Sequence, residues 1–186
     1  MKEIVNTGVT FLRDGKTVLY PTDTVWGIGC DATSEAAVAK VFEIKKRSET
    51  KSLVILVDGL EMLKKYIPKV SKSVLELLSK TTNPTTIIYE NPIGLAKNVV
   101  AADNTVAIRI VQNEFCRELI YLFGKPIVST SANISGNPTP KSFAEIEKSI
   151  MESVDYAVNL QRDEISEKSS TILNVNEKGD ITVLRN

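Results

Sequence analysis

Four segments of this chain concentrate groups able to hold anions or polar ligands. Within residues 126–140 an apolar strand opens into a hydroxyl-rich loop punctuated by Gly136, Pro138 and Pro140. Ser129, Ser131 and Asn133 fall two residues apart there, so an extended backbone presents them as a row of donors and acceptors, with Thr139 following. A turn-rich surface loop is the competing reading. In Thr105-Val106-Ala107-Ile108-Arg109-Ile110, period-two alternation sends Val106, Ile108 and Ile110 to one face and Thr105, Ala107 and Arg109 to the other. A guanidinium on such a strand requires an anionic partner, because an unpaired charge in a half-buried place is costly. Either a ligand anion or an internal Asp or Glu would serve. Residues 20–32 run from a strand into Thr22, Asp23 and Thr24 and then Gly27 and Gly29, which lets backbone and hydroxyls approach a polar ligand or forms a capped turn. These glycines match neither a P-loop nor a dinucleotide fingerprint. Finally, Lys45, Lys46, Arg47 and Lys51 gather at the end of a helical pattern. They complement the negative end of a helix dipole. An extended continuation past Lys46 would also set Lys45 and Arg47 on one side, both reaching a cavity as a clamp for phosphate oxygens.

The elements that must position these groups alternate in type along the whole chain, which points to one α/β unit. β-Branched runs bounded by turn residues predict strands at 17–20, 53–57, 85–89, 105–110, 126–129, 156–159, 171–175 and 181–184. Helices are predicted at 4–12, from an N-cap at Ser34 with Ala37, Val38, Val41, Phe42 and Ile44 inward, and at 60–67, 72–79, 114–123 and 142–151, with Gly124 as a C-cap. Many short strands with intervening helices suggest a twisted mixed sheet, whose strand order periodicity does not supply.

Composition narrows the chemistry. The 186 residues allow one apolar core without disulfides or a structural metal. Lys plus Arg equals Asp plus Glu at 23 each, which disfavours duplex nucleic acid as the main ligand while leaving room for a local basic patch. The chain has no histidine, so imidazole bases and the triads built on them are excluded, and zinc is disfavoured. Cys30 and Cys116 fit neither a metal spacing nor a disulfide framework, no signal-like start is present, and no apolar run reaches the length of a membrane span. A cytoplasmic protein with no membrane association is the expectation.

Taken in order, PTDTVWGIGCDA, KKR with Lys51 four residues later, TVAIRI and STSANISGNPTP resemble the YrdC-like threonylcarbamoyl-AMP synthase family. Ser169-Ser170-Thr171-Ile172 and Val183-Leu184-Arg185 resemble its closing strands, so the likeness covers essentially the whole chain, in the short single-domain form spanning 1–186. The family's Lys-x-Arg and Ser-x-Asn pairs fall on Lys45/Arg47 and Ser131/Asn133. The resemblance implies an α/β fold, a twisted mixed sheet with packed helices around a large concave, positively lined cavity. It implies that Arg47, Lys51, Thr105, Ser131, Asn133, Thr139 and Arg185 face ATP, and that Thr24, Arg109, Ser129 and Ser170 face L-threonine. Lys45 would support the phosphate side, with Arg47 as its catalytic partner. Three positions depart from the family: Ser48 replaces a proline, Trp26 replaces a tyrosine, and Leu56 stands where some relatives carry histidine.

The activity implied by the resemblance joins L-threonine, bicarbonate and ATP, with magnesium as the metal accompanying ATP, into threonylcarbamoyl-AMP and pyrophosphate. A downstream tRNA threonylcarbamoyl-transferase complex would consume the product, and weak tRNA binding is a possible accompaniment. An already anionic carbamate attacking the α-phosphorus needs Lys, Arg, hydroxyls and a metal more than an imidazole. An RNA-binding module is the rival from another class, opposed by the zero net charge and by 6% aromatic content. A carbamoyl-adenylate-forming domain of hydrogenase maturation is the enzymatic rival, although such chains carry zinc-finger and acyl-phosphatase parts that are absent here.

Overall fold

The computed structural model describes residues 1–48, 52–166, 169–176, 178 and 180–185. The first amphipathic stretch forms α1 (Lys2–Arg13), which buries Val5, Val9 and Leu12. It packs on α5 (Glu114–Phe123), where Phe115, Leu119, Ile120 and Phe123 face inward. Gly8 permits the crossing, since a Cβ there would come within 2.9 Å of Leu119. α5 starts at Asn113, whose side chain accepts the Cys116 N–H at 3.1 Å, and stops at Gly124 in the left-handed region at φ +79°.

The strands are β1 (Val18–Tyr20), β2 (Gly27–Gly29), β3 (Val54–Val57), β4 (Thr85–Glu90), β5 (Thr105–Ile110), β6 (Ile127–Ser131), β7 (Tyr156–Ala157), β8 (Thr171–Val175) and β9 (Ile181–Arg185). Among the described residues they form one nine-stranded mixed sheet in the order β7-β1-β2-β6-β3-β5-β4-β8-β9. Pairs β1–β7, β3–β5 and β4–β8 are parallel and the rest antiparallel. The remaining helices are α2 (Glu35–Ile44), α3 (Leu60–Tyr66), α4 (Lys72–Lys80) and α6 (Lys148–Ser153). Among the described residues, no helix is long and apolar enough to cross a membrane.

Two elements differ from the expectation. Gly27–Gly29 reads locally as a turn but is a strand, held between β1 and β6. Its glycines are needed for space: a Cβ on Gly29 would lie 2.2 Å from the Val128 carbonyl oxygen. The expected helix over 142–151 divides into a 3-10 turn at Phe143–Glu145 and α6, because Ile146 turns extended to bury its side chain while Glu145 accepts the Lys141 N–H at 2.8 Å.

Candidate active site

Strand register assembles the site. Leu56, Arg109, Thr86, Ile172 and Arg185 are successive cross-strand partners over β3, β5, β4, β8 and β9, so they form one row on the sheet. Tyr20, Gly27 and Ser131 form a second row over β1, β2 and β6. Between these rows lies a cavity of about 230 Å³. Arg109, Arg185, Arg47, Ser129 and Ser131 line it, as do Thr24, Thr139 and Ser170. Eight of the expected site residues thus meet at one place from six parts of the chain. Trp26, Ser52 and Leu53 complete much of the wall.

Arg109 is 4% exposed, and its Nη2 lies 3.0 Å from Asp23 Oδ1. That contact is an ion pair that is not aligned as a hydrogen bond: among the described residues neither Asp23 Oδ1 nor Arg109 Nε has a hydrogen-bond partner. The internal-carboxylate reading of the strand cation therefore holds, and Arg109 also lines the cavity. At the far end of the row, Arg185 donates from Nε and Nη2 to the Ser170 carbonyl at 3.1 and 2.9 Å. Ser170 shares a 2.8 Å hydroxyl contact with the buried Thr86. Burial and the neighbouring Arg109 charge both push the Arg185 guanidinium below its usual value. Two cations that repel each other across one hollow favour an anion between them.

Thr24 is held by the loop itself, its N–H donating to Thr22 Oγ1 at 3.0 Å. Gly27 leaves Ser129 room, because a Cβ would sit 3.0 Å from the Ser129 hydroxyl.

The end of α2 corrects one expectation. Lys46 takes φ +48°, Lys46 N–H donates to Glu43 and Arg47 N–H to Phe42, which is a Schellman closure and not an extended continuation. Lys45 and Arg47 therefore part company. Arg47 is half-buried, donates to the Ser52 carbonyl at 2.9 Å, keeps a buried Nε without a partner among the described residues, and lines the cavity. Burial lowers its basicity. Lys45 is 1% exposed and does not reach the cavity. Its ammonium lies behind the wall, donating to the carbonyls of Ser131 and Asn133, the latter at 2.7 Å. Burial, with a smaller repulsion from Arg47, depresses it to about 8.

Two further expected residues lie off the wall. Thr105 stands at the opposite end of β5 from Arg109, about 13 Å along the strand, with its hydroxyl donating to Asp103 at 2.7 Å. It adjoins a second hollow of about 330 Å³ lined by Ser52 and residues 97–102, which shares Ser52 with the first; the Ala101 N–H donates to the Thr105 carbonyl. Asn133 turns its amide into its own loop, donating to Ile134 and Asn137 carbonyls at 3.0 and 2.8 Å. Lys51 lies outside the described residues. Leu56 is fully buried beside Arg109 in the row and is not part of the wall. Asp23 and Thr86 were not singled out as site residues by sequence reasoning, since only strand order brings them to Arg109 and Ser170. Among the described residues, no three Asp, Glu, Cys or His side chains cluster as a metal site.

A family model described as "Sua5_yciO_yrdC: Telomere recombination" matches residues 10–186. The threonylcarbamoyl-AMP synthase of Pseudoalteromonas translucida is 32% identical over 158 residues, covering 83% of this chain and 84% of that one. The enzyme of the same name from Escherichia coli K12 is 29% identical over 148 residues, covering 78% of each. The structure of P. abyssi Sua5 complexed with L-threonine superposes with a TM-score of 0.85 at 27% identity, covering 97% of this chain and 53% of that one. This chain thus spans about half the length of that Sua5. E. coli YciO, at 21% identity and a TM-score of 0.87 over 100% of this chain and 89% of its own, shares the fold. With the match running from α1 to the last strand, the chain belongs to the Sua5/YciO/YrdC family.

Proposed function

We propose that this chain is a threonylcarbamoyl-AMP synthase, a nucleotidyltransferase built as one domain over residues 1–186, acting in the cytoplasm. The observation that carries the reading is Arg109: a buried guanidinium, paired with Asp23 without hydrogen-bond alignment, that lines the same cavity as Arg47 and Arg185. Such a site suits two anions brought together, a carboxylate at one end and phosphates at the other. The names of the relatives and the L-threonine held by P. abyssi Sua5 support an amino acid and a nucleotide as the two ligands.

In this reading the carboxylate of L-threonine meets Arg109, with the hydroxyls of Thr24, Ser129 and Ser170 around it. The nucleotide phosphates take Arg47 and Arg185, with Ser131 and Thr139 beside them. A cavity of about 230 Å³ is small for a nucleotide and an amino acid together. The adenosine part accordingly extends past Ser52 toward the second hollow and Thr105. Lys51, Lys45 and Asn133 act from around the phosphate end, Lys45 through the loop that its ammonium braces.

The threonine amine, after losing a proton, adds to the carbon of bicarbonate with release of hydroxide as water, giving a carbamate. A carbamate oxygen then forms a bond to the α-phosphorus of ATP while the bond to the bridging oxygen breaks and pyrophosphate leaves. Arginines aimed at the phosphates stabilise the charge that gathers there. Magnesium, when bound with ATP, neutralises phosphate charge. The described residues offer it no carboxylate cage, so phosphate oxygens and water would be its main ligands. The product would pass to a tRNA threonylcarbamoyl-transferase complex, with tRNA itself bound weakly at most.

Incubation with ATP, magnesium, bicarbonate and isotope-labelled L-threonine should yield labelled threonylcarbamoyl-AMP and one pyrophosphate per adduct by mass analysis. ATP breakdown that does not depend on threonine would overturn the proposal.

A further inference from the structure

We propose that Asp23 is the internal counter-ion of Arg109: it balances the guanidinium in the ligand-free protein and must share it with an incoming amino-acid carboxylate, whose hold it thereby loosens. This inference rests on the amino-acid reading of the site. Asp23 sits in the loop between β1 and β2, with its side chain 9% exposed. Its Oδ2 accepts the Gln112 N–H at 2.9 Å, just beyond β5, so the backbone at the end of that strand fixes where the carboxylate stands. Its other oxygen lies 3.0 Å from Arg109 Nη2.

The pair lacks hydrogen-bond alignment, which leaves Coulomb attraction as its bond, while Arg109 also lines the cavity. Arg185, of the same sign, adds its charge near Arg109, while the neighbouring Cys116 thiol is pushed up by burial and stays neutral. Asp23 thus offsets part of a doubly cationic wall. A ligand carboxylate approaching Arg109 gains the guanidinium but meets Asp23 as a like charge. An α-ammonium group next to that carboxylate relieves the repulsion, so the arrangement admits an amino acid in preference to a plain anion and keeps its affinity moderate.

Asp23→Asn tests this while keeping an acceptor for the Gln112 N–H. The loop has its own support from the Thr22 hydroxyl, which accepts the Thr24 N–H and donates to the Val25 carbonyl. Trp26 is the chain's only tryptophan and lines the cavity, so its fluorescence reports titration, with calorimetry as a check. L-Threonine should bind the variant roughly tenfold tighter, and L-threoninol, which lacks the carboxylate, no tighter. Thermal unfolding of Asp23→Asn, Arg109→Met and the double variant supplies a second readout. The double variant should recover stability that Asp23→Asn loses, because no buried cation is left unpaired. Unchanged or weaker L-threonine binding by folded Asp23→Asn, or additive stability losses, would overturn the proposal. Failure of the wild-type protein to bind L-threonine would instead overturn the amino-acid reading, and the unfolding cycle would then decide alone whether Asp23 balances Arg109.

Discussion

Arg109→Lys separates charge from shape at the amino-acid end of the cavity. Lysine keeps the positive charge but loses the planar fork that grips a carboxylate. The variant should raise the apparent threonine constant by roughly tenfold or more while the ATP constant moves little. Measuring both decides it, since an equal rise in each would put Arg109 on the phosphates. Lys45 makes the opposite kind of residue. An ammonium that is 1% exposed and depressed to about 8 is a charge that the folded state holds at a cost. Between about 8 and the unfolded value of about 10.4, the unfolded chain binds the more protons, so this group makes stability rise with pH through that window. The buried Cys30, Cys116, Tyr20 and Tyr89 are pushed up and work the other way. The comparison that isolates Lys45 is therefore with Lys45→Met. Relative to that variant, wild-type stability should gain on the order of 3 kcal/mol from pH 7 to pH 10.5, read by chemical denaturation at each pH.

At the scale of elements, β2 is the strand whose existence depends on absent side chains. A methyl group on Gly29 would press into the Val128 carbonyl and Tyr20, both of them fixed within the sheet. Gly29→Ala should thus cost about 1–3 kcal/mol, or prevent folding outright, by forcing β1 and β6 apart. Asn113→Ala, which removes the cap of α5 and the donation to Gln161 Oε1 at 3.2 Å, should cost about 1–2 kcal/mol with synthase activity per folded molecule unchanged. Thermal unfolding of the two variants side by side distinguishes steric failure from lost hydrogen bonds.

For the whole molecule, binding couples the two ends of the chain. The cavity is walled by Thr24 near the start and by Arg185 in the last strand, and Arg185 bears on Ser170 through three contacts. A ligand that bridges these parts stabilises the fold by mass action, about 2.7 kcal/mol at a concentration one hundred times its dissociation constant. For a chain of this length that is a rise of roughly 5–10 °C in Tm with ATP, magnesium and L-threonine together. Arg185→Ala should reduce the ATP-dependent part of the rise, and an undiminished rise would detach β9 from the nucleotide.

Several features were legible from local sequence, because their causes lie within a few residues. Ser34 and Gly124 mark helix ends, the one through its hydroxyl and the other through its backbone freedom. Alternation in β5 put Arg109 on a face where it needs an anion, and the four motif segments carried the family. What alternation does not encode is which strand lies beside which. Asp23 meets Arg109 and Thr86 meets Ser170 only because of the strand order and register, and β2 is a strand only because β1 and β6 flank it. Lys45 shows the same division. Its neighbour Arg47 shares its charge and its motif, yet a left-handed residue between them turns one side chain to the cavity and the other into the wall. Local pattern determines which groups need partners, and the tertiary fold determines which partners they find, because pairing depends on contacts between segments far apart in the chain.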